Sequence, residues 1–205
     1  MIDKYGFLKS MPSMEKVVLE LGVGNKKHIS NAIGIDILDG DSVDIVGDAV
    51  EVLKAIKDSS VDQVYSFHFL EHIDDYMEVV NEIIRILKKD GLMNVVVPHF
   101  SNPFYYSDPT HKSKFGLYNF CYLAKSKLFS RTFPKYCQNP NILLIDVKLG
   151  FQSYRPFYLR HAFKKLIQLL FNSTRYLQEL YEENFVWIIP CYEITYKLKK
   201  IQDNK

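Results

Sequence analysis

Residues 16–36, KVVLELGVGNKKHISNAIGID, decide the fold. The run VVLEL over 17–21 is apolar and β-branched, and it reads as a buried strand entering Gly22-Val23-Gly24. A second apolar run, Ala32-Ile33-Gly34-Ile35, ends on an acid, Asp36. In a parallel α/β sheet, ligands bind beyond the carboxyl ends of the strands, where the strand order reverses. Glycines there let the backbone approach a ligand, and an acid closing the next strand can accept bonds from two ribose hydroxyls. The stretch predicts a nucleoside-binding corner.

A dinucleotide fingerprint needs a third glycine, a helix N-terminus under the pyrophosphate, and an acid about 20 residues on. Here Asn25, Lys26 and Lys27 follow Gly24, and Asp36 comes twelve residues after it. So short a crossover holds little more than one helical turn, and a pyrophosphate would lose the helix end that stabilises it. Glu20, just before the glycines, suits a cation and repels a phosphate. S-adenosylmethionine meets these terms, with a sulfonium, an amine, a ribose and no phosphate.

At 205 residues the chain is long enough for one domain with a decorated core. Its 47% hydrophobic and 24% charged content is ordinary for a soluble globular protein. A net charge of +2 gives no argument for nucleic acid or an anionic membrane, and Lys197, Lys199 and Lys200 read as solvated surface. Cys121, Cys137 and Cys191 are odd in number and widely spaced, fitting a reducing compartment rather than a disulfide framework or a zinc site. No signal-peptide core opens the chain and no apolar run of about 18 residues follows. The expectation is a cytoplasmic protein with a small-molecule substrate and no membrane insertion.

The remaining elements follow in order. Residues 1–15 read as a leader with an amphipathic piece over 5–10, ended before Pro12. Residues 43–46 predict a third strand, and 50–56 a short helix after Gly47-Asp48-Ala49. Asp48 is either an adenine contact, an N-cap, or both. Residues 61–67 predict a fourth strand entering His68-Phe69-Leu70-Glu71-His72. A helix follows, with Asp74 and Asp75 in its first turn, Lys88 and Lys89 in its last, and Gly91 as its stop. Residues 92–97 predict a fifth strand, ended by Pro98. Repeated strand–helix–strand units imply a doubly wound α/β sheet.

From 99 to 141 the pattern breaks into aromatic and turn residues, either a lid and substrate wall or a subdomain that merely packs. Residues 142–149 resume a strand. Helices are expected over 158–171, with Leu159, Phe163, Leu166, Ile167 and Leu170 on one face, and over 174–181. Residues 184–198, broken by Pro190, read as a long last strand.

The segments LELGVG, IGID, GDA, FHFLEHI and IIRILKKDGLMNVVVP, in this order over about 16–98, resemble class I S-adenosylmethionine-dependent methyltransferases. Residues 98–116, PHFSNPFYYSDPTHKSKFG, further resemble a type 11-like bacterial subgroup associated with surface-polysaccharide biosynthesis. Lys26 departs from the usual third glycine. The resemblance implies a mostly parallel, seven-stranded Rossmann-like sheet with an antiparallel last strand and an aromatic-rich lid insertion. It implies a single domain over 1–205, with a cofactor core at 16–98, a lid at 99–141, and C-terminal strands and helices at 142–205. By position, Glu20, Gly22 and Gly24 would line the amino-acid part of S-adenosylmethionine, and Asp36 its ribose. Asp48 and Ala49 would face the adenine, with Phe67 and His68 beneath the sulfonium. His72 would be mainly structural.

Methyl transfer to an oxygen or nitrogen needs in-line positioning and a base titrating near neutrality, which histidine supplies. His68, His99 and His111 fall at strand ends or in the insertion, with Asp108 three residues before His111. One reading makes His99 or His111 the base, oriented by Asp108. A second makes His68, His99, Asp108 and His111 ligands of a divalent metal that binds an acceptor oxygen. A third leaves Asp108 as a turn cap and the histidines bonded to backbone. Tyr105, Tyr106, Arg155 and Arg160 are candidates for gripping the acceptor, the arginines suiting phosphate or carboxylate. The acceptor expected is a small polar molecule, a surface-glycan precursor or a nucleotide-linked metabolite. The rival readings are a nicotinamide-dependent oxidoreductase and a cofactor-binding module without turnover.

Overall fold

The structure, a computed structural model, describes residues 1–134 and 141–201; Cys137 and the end of the expected insertion lie outside the described residues. Along the chain run β1 (Ile2–Asp3), α1 (Phe7–Ser10), β2 (Val18–Leu21), β3 (Ile33–Asp36), β4 (Ile45–Val46), α2 (Ala49–Ala55) and β5 (Val61–Phe67). Then come α3 (Tyr76–Ile86), β6 (Leu87–Pro98), β7 (Ile142–Gly150), α4 (Tyr158–Phe171), α5 (Arg175–Asn184) and β8 (Glu193–Lys200). The strands form one sheet in the order β1-β4-β3-β2-β5-β6-β8-β7. β4, β3, β2, β5 and β6 run parallel, and β8 lies antiparallel between β6 and β7.

The order reverses at β2, from which the chain steps out to β3 and β4 and then returns to β5 on the other side. Loops following β2, β3, β5 and β6 therefore share one edge, where α/β sheets bind ligands. β2 is buried along its whole length, as a central parallel strand should be. No helix interrupts the crossover from β2 to β3, in keeping with its length. Asp48 does cap α2, accepting from the Val50 and Glu51 amides at 2.9 and 3.2 Å. Asp75 caps α3 in the same way.

Four expectations are corrected. The sheet has eight strands rather than seven, because Ile2–Asp3 pairs antiparallel with β4. The helix α3 stops at Ile86, so Lys88, Lys89 and Gly91 belong to β6 and not to a helix end. Donors distant in sequence take up the carbonyls there: the Ser59 and Ser60 amides donate to Arg85 and Ile86 at 3.1 and 2.8 Å, and the buried Lys200 ammonium donates to Leu87 and Arg85 at 2.6 and 3.2 Å. Lys200 is thus not solvated surface, since the alternation of β8 turns it inward. Finally, α5 extends to Asn184 and β8 begins only at Glu193. The amides of Ile188 and Ile189 turn back onto the Phe185 carbonyl, and the Tyr181 hydroxyl holds the Ile189 carbonyl at 2.9 Å.

Part of the aromatic region after β6 packs into the core. Phe115, Leu117 and Phe120 are fully buried, whereas Phe104 and Tyr106 are exposed. No helix among the described residues is long and apolar enough to cross a membrane.

Candidate functional site

Gly22 and Gly24 both take positive φ, 69° and 57°, which glycine adopts without steric cost. A Cβ at Gly24 would meet nothing within 4 Å, so the loop leaves open space above its backbone. A Cβ at Gly22 would stand 2.6 Å from the Phe69 side chain, which closes over that glycine. Asp36 accepts from the Gly24 amide at 2.8 Å and the Leu38 amide at 2.9 Å, joining the two loops. Ile37 and Leu38, directly after it, are exposed apolar side chains.

Glu20 is fully buried. Its carboxylate accepts from the His28 and Ile29 amides at 2.9 and 2.8 Å and contacts His28 Nδ1 at 3.0 Å. It therefore shapes the loop after the glycines, and the His28 ring stacks on Phe67 with centroids 4.3 Å apart. Ala49 opens α2 behind Asp48.

The second part of the site is built by one clamp between distant segments. The Lys112 and Ser113 amides donate to the Glu71 carbonyl at 2.7 and 3.1 Å, setting the 108–113 loop against the turn after β5. This brings His111 to His72, with ring centroids 4.8 Å apart. His111 Nδ1 lies 2.9 Å from the Tyr105 carbonyl and can only donate to it, so Nε2 keeps its lone pair. The Thr110 hydroxyl donates to Asp108 Oδ1 at 2.6 Å and accepts from His72 Nδ1 at 2.9 Å, which leaves the lone pair of His72 on Nε2 as well. The same hydroxyl, then the Thr110 amide, holds the Asp108 carboxyl below the usual aspartate range.

Glu71 is fully buried, and neither carboxylate oxygen accepts a hydrogen bond from the described residues. His68 Nδ1 lies 3.4 Å from it and His68 Nε2 lies 3.5 Å from Glu193. Glu193 first and Glu71 second push the His68 pKa up to about 9, so its imidazole is a cation at neutral pH. One ligand atom each from Glu71, His72 and His111 fall within 4.8 Å of one another, a two-histidine, one-carboxylate set that suits a divalent transition metal.

His68, Asp108 and His111 thus meet at one edge, joined by Glu71, His72 and Thr110. His99 is elsewhere. It is fully buried, bonded to Ser101 Oγ at 2.8 Å and Glu182 Oε2 at 3.0 Å, because the first residue past β6 points into the core. Tyr105 is buried and stacks on His111, and Tyr106 packs on Tyr105. Tyr106 also lines an aromatic cleft of about 550 Å³ with Tyr76, Phe100, Lys114, Tyr118 and Trp187. Arg160 lies over the Phe157 ring at 4.1 Å, and Arg155 is exposed nearby. Arg160 lies on α4 and lines a small cavity with Phe104 and Tyr192, and Arg155 precedes that helix; among the described residues, neither is bonded to the histidine loop.

Residues 19–95 match the methyltransferase domain family. The chain superposes on a SAM-dependent methyltransferase from Archaeoglobus fulgidus with TM-score 0.55 and 18% identity, over 95% of this chain and 90% of that one. The fold is that of a methyltransferase. The YcgJ protein from Bacillus subtilis gives TM-score 0.52 and 17% identity over 96% and 97% of the two chains. A Haemonchus contortus phosphoethanolamine N-methyltransferase 2, solved with phosphomonomethylethanolamine and S-adenosylhomocysteine, gives 0.51 and 14% over 95% of this chain and 52% of that one. No protein with a curated description matches by sequence.

Reading the sequence missed Glu71 and Glu193, and it set His72 aside as structural. The motif FHFLEHI carried Glu71 and His72 in plain view, but the burial of a carboxylate has no sequence signal. Ile37 and Leu38 were legible in principle as apolar residues past a strand-ending acid.

Proposed function

We propose that the protein is an enzyme that transfers a methyl group from S-adenosylmethionine to an oxygen or nitrogen of a small polar acceptor. The observation that carries this reading is the glycine corner held to Asp36, with a histidine on the same sheet edge oriented by the Tyr105 carbonyl. The open backbone at Gly24, the exposed Ile37 and Leu38 beside the acid, and the short crossover fit a nucleoside without a pyrophosphate. When bound, the cofactor supplies an electrophilic methyl. The open backbone at Gly24 would admit its amino-acid end, Asp36 would accept from its ribose, and Ile37 and Leu38 would cover its adenine. His111 takes the acceptor proton at Nε2, and the Tyr105 carbonyl holds the other nitrogen protonated. Cationic His68 does not act as a base; it balances Glu71 and Glu193.

The aromatic cleft beside Tyr106 and Lys114 suits a sugar ring carrying an anionic group, and the resemblance of residues 98–116 supports a surface-glycan precursor. A second reading has its own observation in the buried Glu71 carboxylate, which accepts no hydrogen bond among the described residues and has the His68 ring at 3.4 Å beside it. Here Glu71, His72 and His111 would hold a divalent metal, which would supply a Lewis acid able to lower the pKa of an acceptor hydroxyl.

Calorimetric titration with S-adenosylhomocysteine, with NAD as control, tests the proposal. Micromolar binding of the first and none of the second supports it, and binding of NAD alone overturns it. Acceptor turnover that survives chelation favours the base; turnover that fails and returns with added metal favours the second reading.

A further inference from the structure

The helix α4 is mounted inside out. Leu159, Phe163, Leu166, Leu169 and Leu170 are between 52% and 90% exposed, and Phe171 is its one buried residue. Its polar side faces the protein instead. His161 Nδ1 lies 2.9 Å from the Ser153 carbonyl, Lys164 donates to the Gln152 carbonyl at 3.1 Å, and Gln168 accepts from the Phe151 amide at 2.9 Å. An amphipathic helix of a soluble protein ordinarily buries its apolar face. So large a contiguous apolar face marks a surface that something else covers.

The charge around it indicates what. The chain as a whole is nearly balanced, with 26 basic and 24 acidic residues. Yet residues 147–178 contain no Asp or Glu; Lys148 and Arg175 there pair with Asp146, and Arg155, Arg160 and Lys165 have no acidic partner among the described residues. Local asymmetry of this kind is invisible in the net charge. Exposed Tyr154, Phe157 and Tyr158 stand at the N-terminal end of the helix, and the Arg160 guanidinium rests on Phe157. Leucine and phenylalanine on one face, bounded by aromatic rings and basic residues without acids, is the pattern of a helix lying in a membrane interface.

We propose that α4 docks the protein on an anionic membrane surface, lying in the interface without spanning it. A protein partner or second copy would not require acids to be excluded from the segment; an anionic lipid surface does. A small cavity of about 200 Å³ between Phe104, Tyr154, Phe157, Arg160 and Tyr192 joins this face to the segment after β6. Tyr192 adjoins Glu193, which faces His68. Docking would therefore set the histidine edge of the site beside the bilayer, so that it meets an acceptor presented there. That last step rests on the methyltransferase reading, but the docking does not.

Flotation of the full chain with vesicles tests the proposal without cofactor. Binding to phosphatidylcholine vesicles containing phosphatidylglycerol is expected, weaker on phosphatidylcholine alone and weakened by salt. Joint substitution Leu159→Ser, Leu166→Ser and Leu170→Ser should lower that binding at least tenfold while leaving far-UV circular dichroism unchanged. Arg160→Gln with Lys165→Gln should lower it on anionic vesicles only. Failure of the parent chain to float, or equal flotation of the leucine variant, would overturn the proposal. A dimer that does not float and that the leucine variant converts to monomer would overturn it too, assigning the face to a second copy. Titration with S-adenosylhomocysteine is read separately, so failure of the cofactor reading leaves the docking result standing.

Discussion

His111 donates its Nδ1 proton to the carbonyl oxygen of Tyr105 at 2.9 Å while the Tyr105 ring stacks on its imidazole at 4.8 Å. One neighbour thus sets both the tautomer and the plane of the ring, leaving Nε2 as the proton acceptor. His111→Ala should lower turnover by about a hundredfold or more, the usual contribution of a positioned base. S-adenosylhomocysteine affinity should stay within a factor of two or so, because the glycine corner is built by other segments. Turnover equal to the parent would sink the assignment.

His68 makes stability depend on pH in a defined direction. Its folded pKa, about 9, lies above the ordinary histidine value of 6.5 because Glu193 and Glu71 favour the charged ring. The stabilisation is therefore fully present below about pH 6.5 and is lost as pH rises through about 9. Denaturant unfolding of chelator-treated protein should show stability falling across that window, with a smaller fall in His68→Gln. An equal fall in both would show that His68 is not the source.

Gly22→Ala should be poorly tolerated. Its φ of 69° is strained for alanine, and the new Cβ would stand 2.6 Å from Phe69. The two effects together cost about 1–3 kcal/mol, read as a lower midpoint in urea. S-adenosylhomocysteine binding should weaken in parallel, because Phe69 must leave its seat.

Lys200→Met keeps the buried length of the side chain but removes its donors. The Leu87 carbonyl loses its donor at 2.6 Å, at a cost of about 1–3 kcal/mol, while the Arg85 carbonyl keeps the Ser59 amide at 3.1 Å. Thermal unfolding should register the loss, and an unchanged midpoint would mean that another partner satisfies the Leu87 carbonyl.

Glu71→Gln separates the two catalytic readings. If Glu71, His72 and His111 hold a metal, chelator-treated protein should bind about one equivalent of Zn²⁺, and the variant should lose at least tenfold in affinity. Elemental analysis and titration showing no bound ion would leave His111 as the base.

How much of this was legible beforehand differs from element to element. β5 and α4 fall on their expected residues, since strong local patterns carry them. The turn of Gly22 and Gly24 into Asp36 also showed, because glycine and strand-ending acids report backbone geometry directly. The end of α3 did not: Lys88, Lys89 and Gly91 are good local stop signals, but the Ser59 and Ser60 amides and Lys200, all remote in sequence, take up the carbonyls before them. His99 and His111 looked alike as histidines past a strand. Their fates divide because one points into the core and the other rides a loop pinned to Glu71.

The sequence by itself determined the parallel sheet and the turn of Gly22 and Gly24 that meets Asp36. Each follows from periodicity or from residues adjacent along the chain, and local sterics and burial patterns are readable one segment at a time. Only the tertiary structure decided which histidines meet, that Lys200 is buried, and that α4 turns its apolar face outward. These depend on contacts between segments remote in sequence, where one hydrogen bond or one direction of a side chain selects between arrangements that local propensity leaves equal.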